Sequence, residues 1–195
     1  RQLVDQHGPT HAAVVFDGGL PVERTRLLED YKAQRPPLPD DLGAQLPVID
    51  EYLDRCRVTR IRQDAQEADD VMASLAEWAD GDCERVLLAS NDKDLFQLVN
   101  ERVNVIPVAG KSAPMGPEEV KAKTGVTAGR VVEWLALVGD NVDNIPGVPG
   151  VGPKTAVKIL SQCESLKDVW ENPDMLENEK LERVLRENRE LIKLN

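Results

Sequence analysis

Four short runs with strand character alternate with stretches of helical periodicity, and this alternation constrains the fold more than any other feature. The runs are "THAAVVFD" (10–17), "RVTRI" (57–61), "RVLLAS" (85–90) and "RVNVIPV" (102–108). The first and third are continuously apolar and read as buried parallel strands. The intervening "PVERTRLLEDYKAQRPPLP" (21–39) reads as a charged helix broken at Pro36, Pro37 and Pro39. "DDLGAQLPVIDEYLDRC" (40–56) reads as a helix capped by Asp40 or Asp41, "QEADDVMASLAEWAD" (66–80) as a helix, and "DLFQLVN" (94–100) as a short one. The chain opens on what reads as the end of a helix. From residue 115 onward only helix and turn signals occur, beginning with "MGPEEVKAKTG" and "TAGRVVEWLALVG". The expected class is α/β: a Rossmann-like parallel sheet with flanking helices over residues 1–114, and a helical subdomain over 115–195.

The 195 residues suffice for one compact α/β domain with a small appendage. They are 41% hydrophobic but only 4% aromatic, so aliphatic side chains must fill the core, with Trp78, Trp134 and Trp170 expected inside it. No apolar run approaches the roughly 20 residues of a membrane span, and no signal peptide is visible. Cys56, Cys83 and Cys163 are odd in number and far apart, which fits neither a disulfide framework nor a zinc site. A reducing, cytoplasmic compartment and a monomeric chain are expected. His7 and His11 receive no role.

Net charge is −11, which opposes bulk attraction to polyanions. Its distribution says more. Eleven acids lie between Asp64 and Glu101, against Arg85 and Lys93 alone. A solvated acidic face is the ordinary explanation. In open α/β sheets, however, ligands bind at the carboxyl ends of strands, and the acids fall there. Asp17 ends the first run, Glu67, Asp69 and Asp70 follow the second, and Asp92 and Asp94 follow the third. Asp140 and Asp143 come just after Gly139, a helix stop. Each group has a structural explanation, as a helix cap or as a partner of the helix macrodipole. Eight acids converging on one edge would nevertheless repel unless cations joined them. Carboxylate oxygens are hard ligands that select Mg²⁺ or Mn²⁺, and two such ions suit phosphodiester hydrolysis.

The most specific stretch is "GDNVDNIPGVPGVGPKTAVKIL" (139–160). Gly147, Gly150 and Gly152 permit tight turns, Pro153 fits a first helical turn, and backbone N–H groups there can face a phosphate beside Lys154. This is a helix–hairpin–helix pattern, a grip on nucleic-acid backbone that reads no sequence. In "YKAQRPPLP", Lys32 and Arg35 stand three apart at the expected end of a helix. They are either a solvated helix terminus or a pair that holds a phosphate.

Together "HAAVVFD", "YKAQRPPLPDDL", "EADD", "SNDKDLFQLV", "LALVGDNVDNIPGVPGVGPKTA" and "LRENRELIKLN" cover nearly the whole chain. They resemble the bacterial 5′–3′ exonuclease, or flap endonuclease, family, which includes the nuclease domain at the N-terminus of DNA polymerase I. The resemblance implies a PIN-like core carrying a helix–three-turn–helix segment. It implies a structure-specific DNA 5′-nuclease of replication and repair, using two Mg²⁺ or Mn²⁺ ions. By motif, Asp17, Glu67, Asp69 and Asp70 look like ligands of one ion, and Asp92, Asp94, Asp140 and Asp143 like ligands of the other, partly through water. Lys32 and Arg35 resemble the basic pair at the foot of the family's helical arch. Gly147, Val148, Gly150, Val151 and Gly152, with Lys154 and Thr155, look like the duplex grip, a turn that also binds K⁺ in related enzymes. The implied partners are branched or 5′-flap duplex DNA and a DNA polymerase, fused or separate, with no membrane.

The family begins with a strand that carries a further metal-ligating Asp. Nothing before "THAAVVFD" resembles it, and Asp5 is not on such a strand. The sequence is therefore expected to be a fragment that cleaves slowly, and the alternative is a DNA-binding module of the same fold that no longer cleaves. A phospho-acceptor signalling domain also places acids and a Lys at strand ends, but the helical hairpin argues against it.

Overall fold

The computed structural model describes residues 2–80, 82–108, 113–171 and 181–194. All four runs form strands: β1 (Ala13–Phe16), β2 (Thr59–Arg62), β3 (Val86–Ala89) and β4 (Val103–Ile106); three are trimmed at both ends, and β2 starts two residues later and ends one residue later than its run. Every pairing is parallel. β1 lies beside β2 with Ala13 opposite Thr59, and β3 beside β4 with Val86 opposite Val103. Among the described residues these ladders form two two-stranded units rather than one continuous sheet. β4 is buried throughout, whereas β1 is half-buried and its Ala13 is exposed. The first run is thus less enclosed than its composition suggests, because β2 is its one described neighbour.

The helices are α1 (Gln2–His7), α2 (Val22–Leu27), α3 (Asp40–Gly43), α4 (Leu46–Arg55), α5 (Ala68–Asp80), α6 (Pro117–Thr124), α7 (Val131–Val138), α8 (Pro153–Leu160), α9 (Leu166–Glu171) and α10 (Leu181–Ile192). The short helix expected at 94–100 is a 3₁₀ turn, Asp94–Leu98, and a second 3₁₀ turn, Ala128–Arg130, leads into α7. Within the expected C-terminal helices, 172–180 lies outside the described residues. No helix among the described residues is long and apolar enough to cross a membrane.

The largest departure from expectation is at 21–39. The helix there stops at Leu27, Leu28 turns extended, and Lys32 takes a φ of 57°. Successive turns follow, in which Tyr31, Ala33 and Arg35 donate their N–H groups to Leu28, Asp30 and Lys32. The Lys32 N–H reaches across to the Asp143 carbonyl at 3.1 Å. That long-range bond outweighs local helix propensity, so Lys32 and Arg35 sit on turns and not on the last turn of a helix. The helix expected over 40–56 is also divided. Asp40 and Asp41 form the first turn of α3 after Pro39, and α4 restarts with Pro47 in its opening turn.

The core gathers around β4, α7 and α10. Val105, Val131, Leu135, Leu137 and Leu185 are all fully buried. Trp134 and Trp170 pack against this core, but Trp78 is 74% exposed on α5, contrary to its expected place inside. α6 shows how locally determined its ends are. Glu119 accepts the Gly116 N–H at 2.9 Å, Pro117 opens the first turn, and Gly125 closes the helix at φ 84°. Asn188 is buried on α10 and donates its amide to the carbonyls of Ala136 (2.9 Å) and Pro146 (2.6 Å), which ties α10 to α7 and to the turn after it.

Candidate metal centre and nucleic-acid interface

Three of the eight sequence-predicted acids form a compact group. Oxygens of Asp94, Asp140 and Asp143 all lie within 4.8 Å of one another. Asp94 arrives on the 3₁₀ turn after β3. Asp140 and Asp143 arrive on the turn that ends α7, which the paired backbone bonds between Asp140 and Ile145 hold shut (2.9 and 2.8 Å). Burial, and then the charges of Asp92, Asp140 and Asp143, push the Asp94 carboxyl up to about 7 against the opposing pull of Lys93. Its Oδ1 is buried with no hydrogen-bond partner. Asp140 behaves oppositely. Burial disfavours its charge, but the Lys93 ammonium at 2.6 Å and the Val142 N–H hold its carboxyl below the ordinary range.

A second group surrounds the start of α5. Burial and the charge of Asp92, opposed by Lys32 and reinforced by Asp17 and Glu67, push the Asp69 carboxyl up to about 6. Asp92 thus neighbours both groups. Asp17 caps α5 by accepting the Ala68 N–H at 2.9 Å, and Asp92 accepts the Asp94 N–H at 3.0 Å. Each of these two bonds occupies a single carboxylate oxygen. Asp70 is turned to a different partner: Arg24 grips both its oxygens, at 2.5 and 2.8 Å.

Protein cations are threaded through these acids. Arg24 is 4% exposed and also holds Glu67 at 2.5 Å. Lys32 contacts Glu67 and lies 3.4 Å from Asp143, and Arg35 holds Asp143 at 2.7 Å. The Tyr31 hydroxyl lies between the groups, 3.0 Å from Glu67 and 3.3 Å from Asp143. Burial and those two charges keep its phenol far above the ordinary range, so it stays a donor. Sequence reasoning missed Arg24 and Tyr31. Tyr31 directly precedes Lys32 in the motif. Arg24 carries no local signal, because its burial comes from elements far away in the chain.

The hairpin takes the form its glycines require. A Cβ on Gly147 would meet the Val138 carbonyl oxygen at 2.1 Å, and one on Gly139 would meet the Gly147 nitrogen at 2.3 Å, so two backbones touch where a side chain cannot fit. Gly150 has φ 79°, and Gly152 opens α8 with free space around its Cα. Pro153 occupies the first turn as expected, and Lys154 and Thr155 beside it are exposed. Val148 and Val151 differ from expectation. They are 5% and 7% exposed, and their N–H groups are already bonded to Leu137 and Val148, so they anchor the turn from within.

Residues 1–125 match the family model of the 5′–3′ exonuclease N-terminal resolvase-like domain, and residues 126–195 match that of the 5′–3′ exonuclease C-terminal SAM fold. A 5′–3′ exonuclease of Aquifex aeolicus is 40% identical over 97% of this chain and 65% of its own length. DNA polymerase I of Bacillus subtilis is 37% identical over 95% of this chain, which spans only 22% of that enzyme. Among solved structures, a phage T5 flap endonuclease in a pseudo-enzyme–product complex with DNA and metal ions aligns with a TM-score of 0.83 and 22% identity, over 99% of this chain and 77% of that one. The phage T5 5′-exonuclease bound to divalent zinc ions aligns at 0.81 and 22%, over 99% and 78%. These likenesses establish the fold, and the two contiguous family matches carry the assignment: the chain belongs to the 5′–3′ exonuclease family.

Proposed function

We propose that the chain is a divalent-metal-dependent DNA 5′–3′ exonuclease and 5′-flap endonuclease. The observation that carries this reading is the group of Asp94, Asp140 and Asp143, in which the Oδ1 of Asp94 is buried without a hydrogen bond. An all-carboxylate set fits a hard cation such as Mg²⁺ or Mn²⁺. Asp94, Asp140 and Asp143 would hold one ion, with Asp92 at its edge. Asp17, Asp69 and Glu67 would hold the other, and Asp70 would fix Arg24. When bound, a pair of such ions activates water and stabilises the attacking and leaving oxygens of a phosphodiester.

The chain's own residues supply the remainder. Lys32, largely enclosed between Glu67 and Asp143, and Arg35, more exposed and held by Asp143, are the cations that would pair with a phosphate approaching those acids. Gly150, Gly152, Lys154 and Thr155 present an exposed turn and helix start to the backbone of a duplex, without reading bases. K⁺ at this turn is supported by family resemblance alone. The likeness to DNA polymerase I supports action on replication and repair intermediates, beside or fused to a polymerase.

Mg²⁺-dependent cleavage of a 5′-labelled flap duplex tests the reading. Release of 5′-phosphorylated products that stops with EDTA is the expected result. Duplex binding with no cleavage at any Mg²⁺ or Mn²⁺ concentration would leave only the DNA-binding module.

A further inference from the structure

We propose that the end of α10 braces the acidic site: Arg24 and Gln97 bind the backbone of Ile192 and of the two residues after it, and tie that backbone to the Glu67 and Asp70 carboxylates and to the backbone of Asp94. The inference rests on the metal-site reading above. Three successive residues are engaged. The Ile192 carbonyl accepts from Gln97 Nε2 at 3.1 Å, the Lys193 carbonyl accepts from Arg24 Nη2 at 2.9 Å, and the Leu194 N–H donates to Gln97 Oε1 at 3.0 Å. Each side chain also reaches the acidic site, Gln97 through the Asp94 backbone and Arg24 through two carboxylates. Gln97 Nε2 also donates to the Asp94 carbonyl at 2.9 Å, and Arg24 Nη1 donates to Glu67 and Asp70.

The Gln97 amide nitrogen thus serves two carbonyls and its oxygen takes one N–H, which leaves the side chain little freedom. A buried guanidinium serves the Lys193 carbonyl, which simple capping of a helix end does not require. The arrangement links Asp94 to Glu67 and Asp70 through one short stretch of backbone. Partners of this kind, one shell outside the ligands, set ligand orientation and hence ion affinity.

The test is Mn²⁺ binding to the DNA-free protein, read by the paramagnetic resonance of free Mn²⁺, for the parent, Gln97→Met and Arg24→Lys. Far-UV circular dichroism and duplex affinity are measured alongside. Gln97→Met keeps side-chain bulk and removes all three amide bonds; Arg24→Lys keeps charge and removes the fork. Each should lose about 10- to 100-fold in Mn²⁺ affinity, with native secondary structure and unchanged duplex binding. Parent-like Mn²⁺ affinity in a natively folded variant overturns the brace, and Gln97→Met decides alone if Arg24→Lys does not fold. Parallel losses of Mn²⁺ and duplex affinity mean general loosening and also overturn it. If the parent itself takes up no Mn²⁺, the metal-site reading fails first and the brace falls with it.

Discussion

The Lys93 ammonium lies 2.6 Å from Asp140 but 3.9 Å from Asp94, its own neighbour in the chain. One cation therefore serves the acid of a distant turn and leaves the adjacent one undercompensated. Burial disfavours the charge of both carboxyls, and only at Asp140 does Lys93, with the Val142 N–H, outweigh it. Asp140 is held below the ordinary range, and Asp94 is pushed up to about 7.

This makes the metal-free protein sensitive to pH. Asp94 rises from 3.8 to about 7 and Asp69 from 3.8 to about 6, so the folded state holds protons that the unfolded chain releases. Their stabilising contribution is complete below about pH 4 and is lost as pH rises through 6 and 7. For Asp94 the loss is on the order of 2–4 kcal/mol. Urea unfolding in EDTA should show stability falling between about pH 4 and 7 and levelling off above, and Mg²⁺ should restore it at pH 8. A flat profile in EDTA would mean that neither acid holds a proton in the fold.

Two Asp→Asn substitutions should separate ligand from scaffold. Asp94→Asn removes a crowded charge, so stability in EDTA at pH 8 should rise while flap cleavage falls by about 100-fold or more. Asp70→Asn breaks the buried fork with Arg24 and should cost about 3 kcal/mol or more. Urea melts and single-turnover cleavage on both variants check this. Equal stability losses would remove the distinction between the two acids.

The hairpin glycines should also divide. Gly147→Ala drives a Cβ to 2.1 Å from the Val138 oxygen and should destabilise the fold by about 3 kcal/mol. Gly152→Ala meets open space, so its melting temperature should stay near that of the parent, while duplexes of every sequence bind more weakly. A loss confined to particular base sequences would mean that the turn reads bases.

Lys154 is exposed at the start of α8. Its replacement by Ala should lower the slope of log affinity against log salt by about one unit or less. An unchanged slope in duplex-binding titrations would place Lys154 away from the phosphates.

The strands were legible because β-branched runs bounded by Pro, Gly or charge have few other uses. The hairpin was legible because close backbone contact, as between Gly139 and Gly147, admits glycine alone. The turns at 29–35 were not, since the bond from Lys32 to Asp143 joins segments more than a hundred residues apart. Nor was the pairing of Arg24 with Asp70, because a charged side chain on a short helix looks solvated until its partners are in place. The inward turn of Val148 and Val151 was hidden for a related reason, since a motif names residues without saying which way each one faces.

The two strand pairs differ in how much chain each must close. Val86 meets Val103 across a short connection, whereas Ala13 must find Thr59 across one nearly three times as long. Loop entropy alone favours the shorter closure by about 0.9 kcal/mol, and β4 is also the strand that the core encloses on every side. The β3–β4 unit is therefore where folding should begin, with β1 and β2 joining a nucleus that already exists. Pulsed hydrogen exchange during refolding should protect the ladder amides between β3 and β4 before those between β1 and β2, and the reverse order would exclude this nucleus. Asp94 lies a few residues beyond β3, so the acidic site would begin to assemble before the half of the chain that supplies Asp17 has folded.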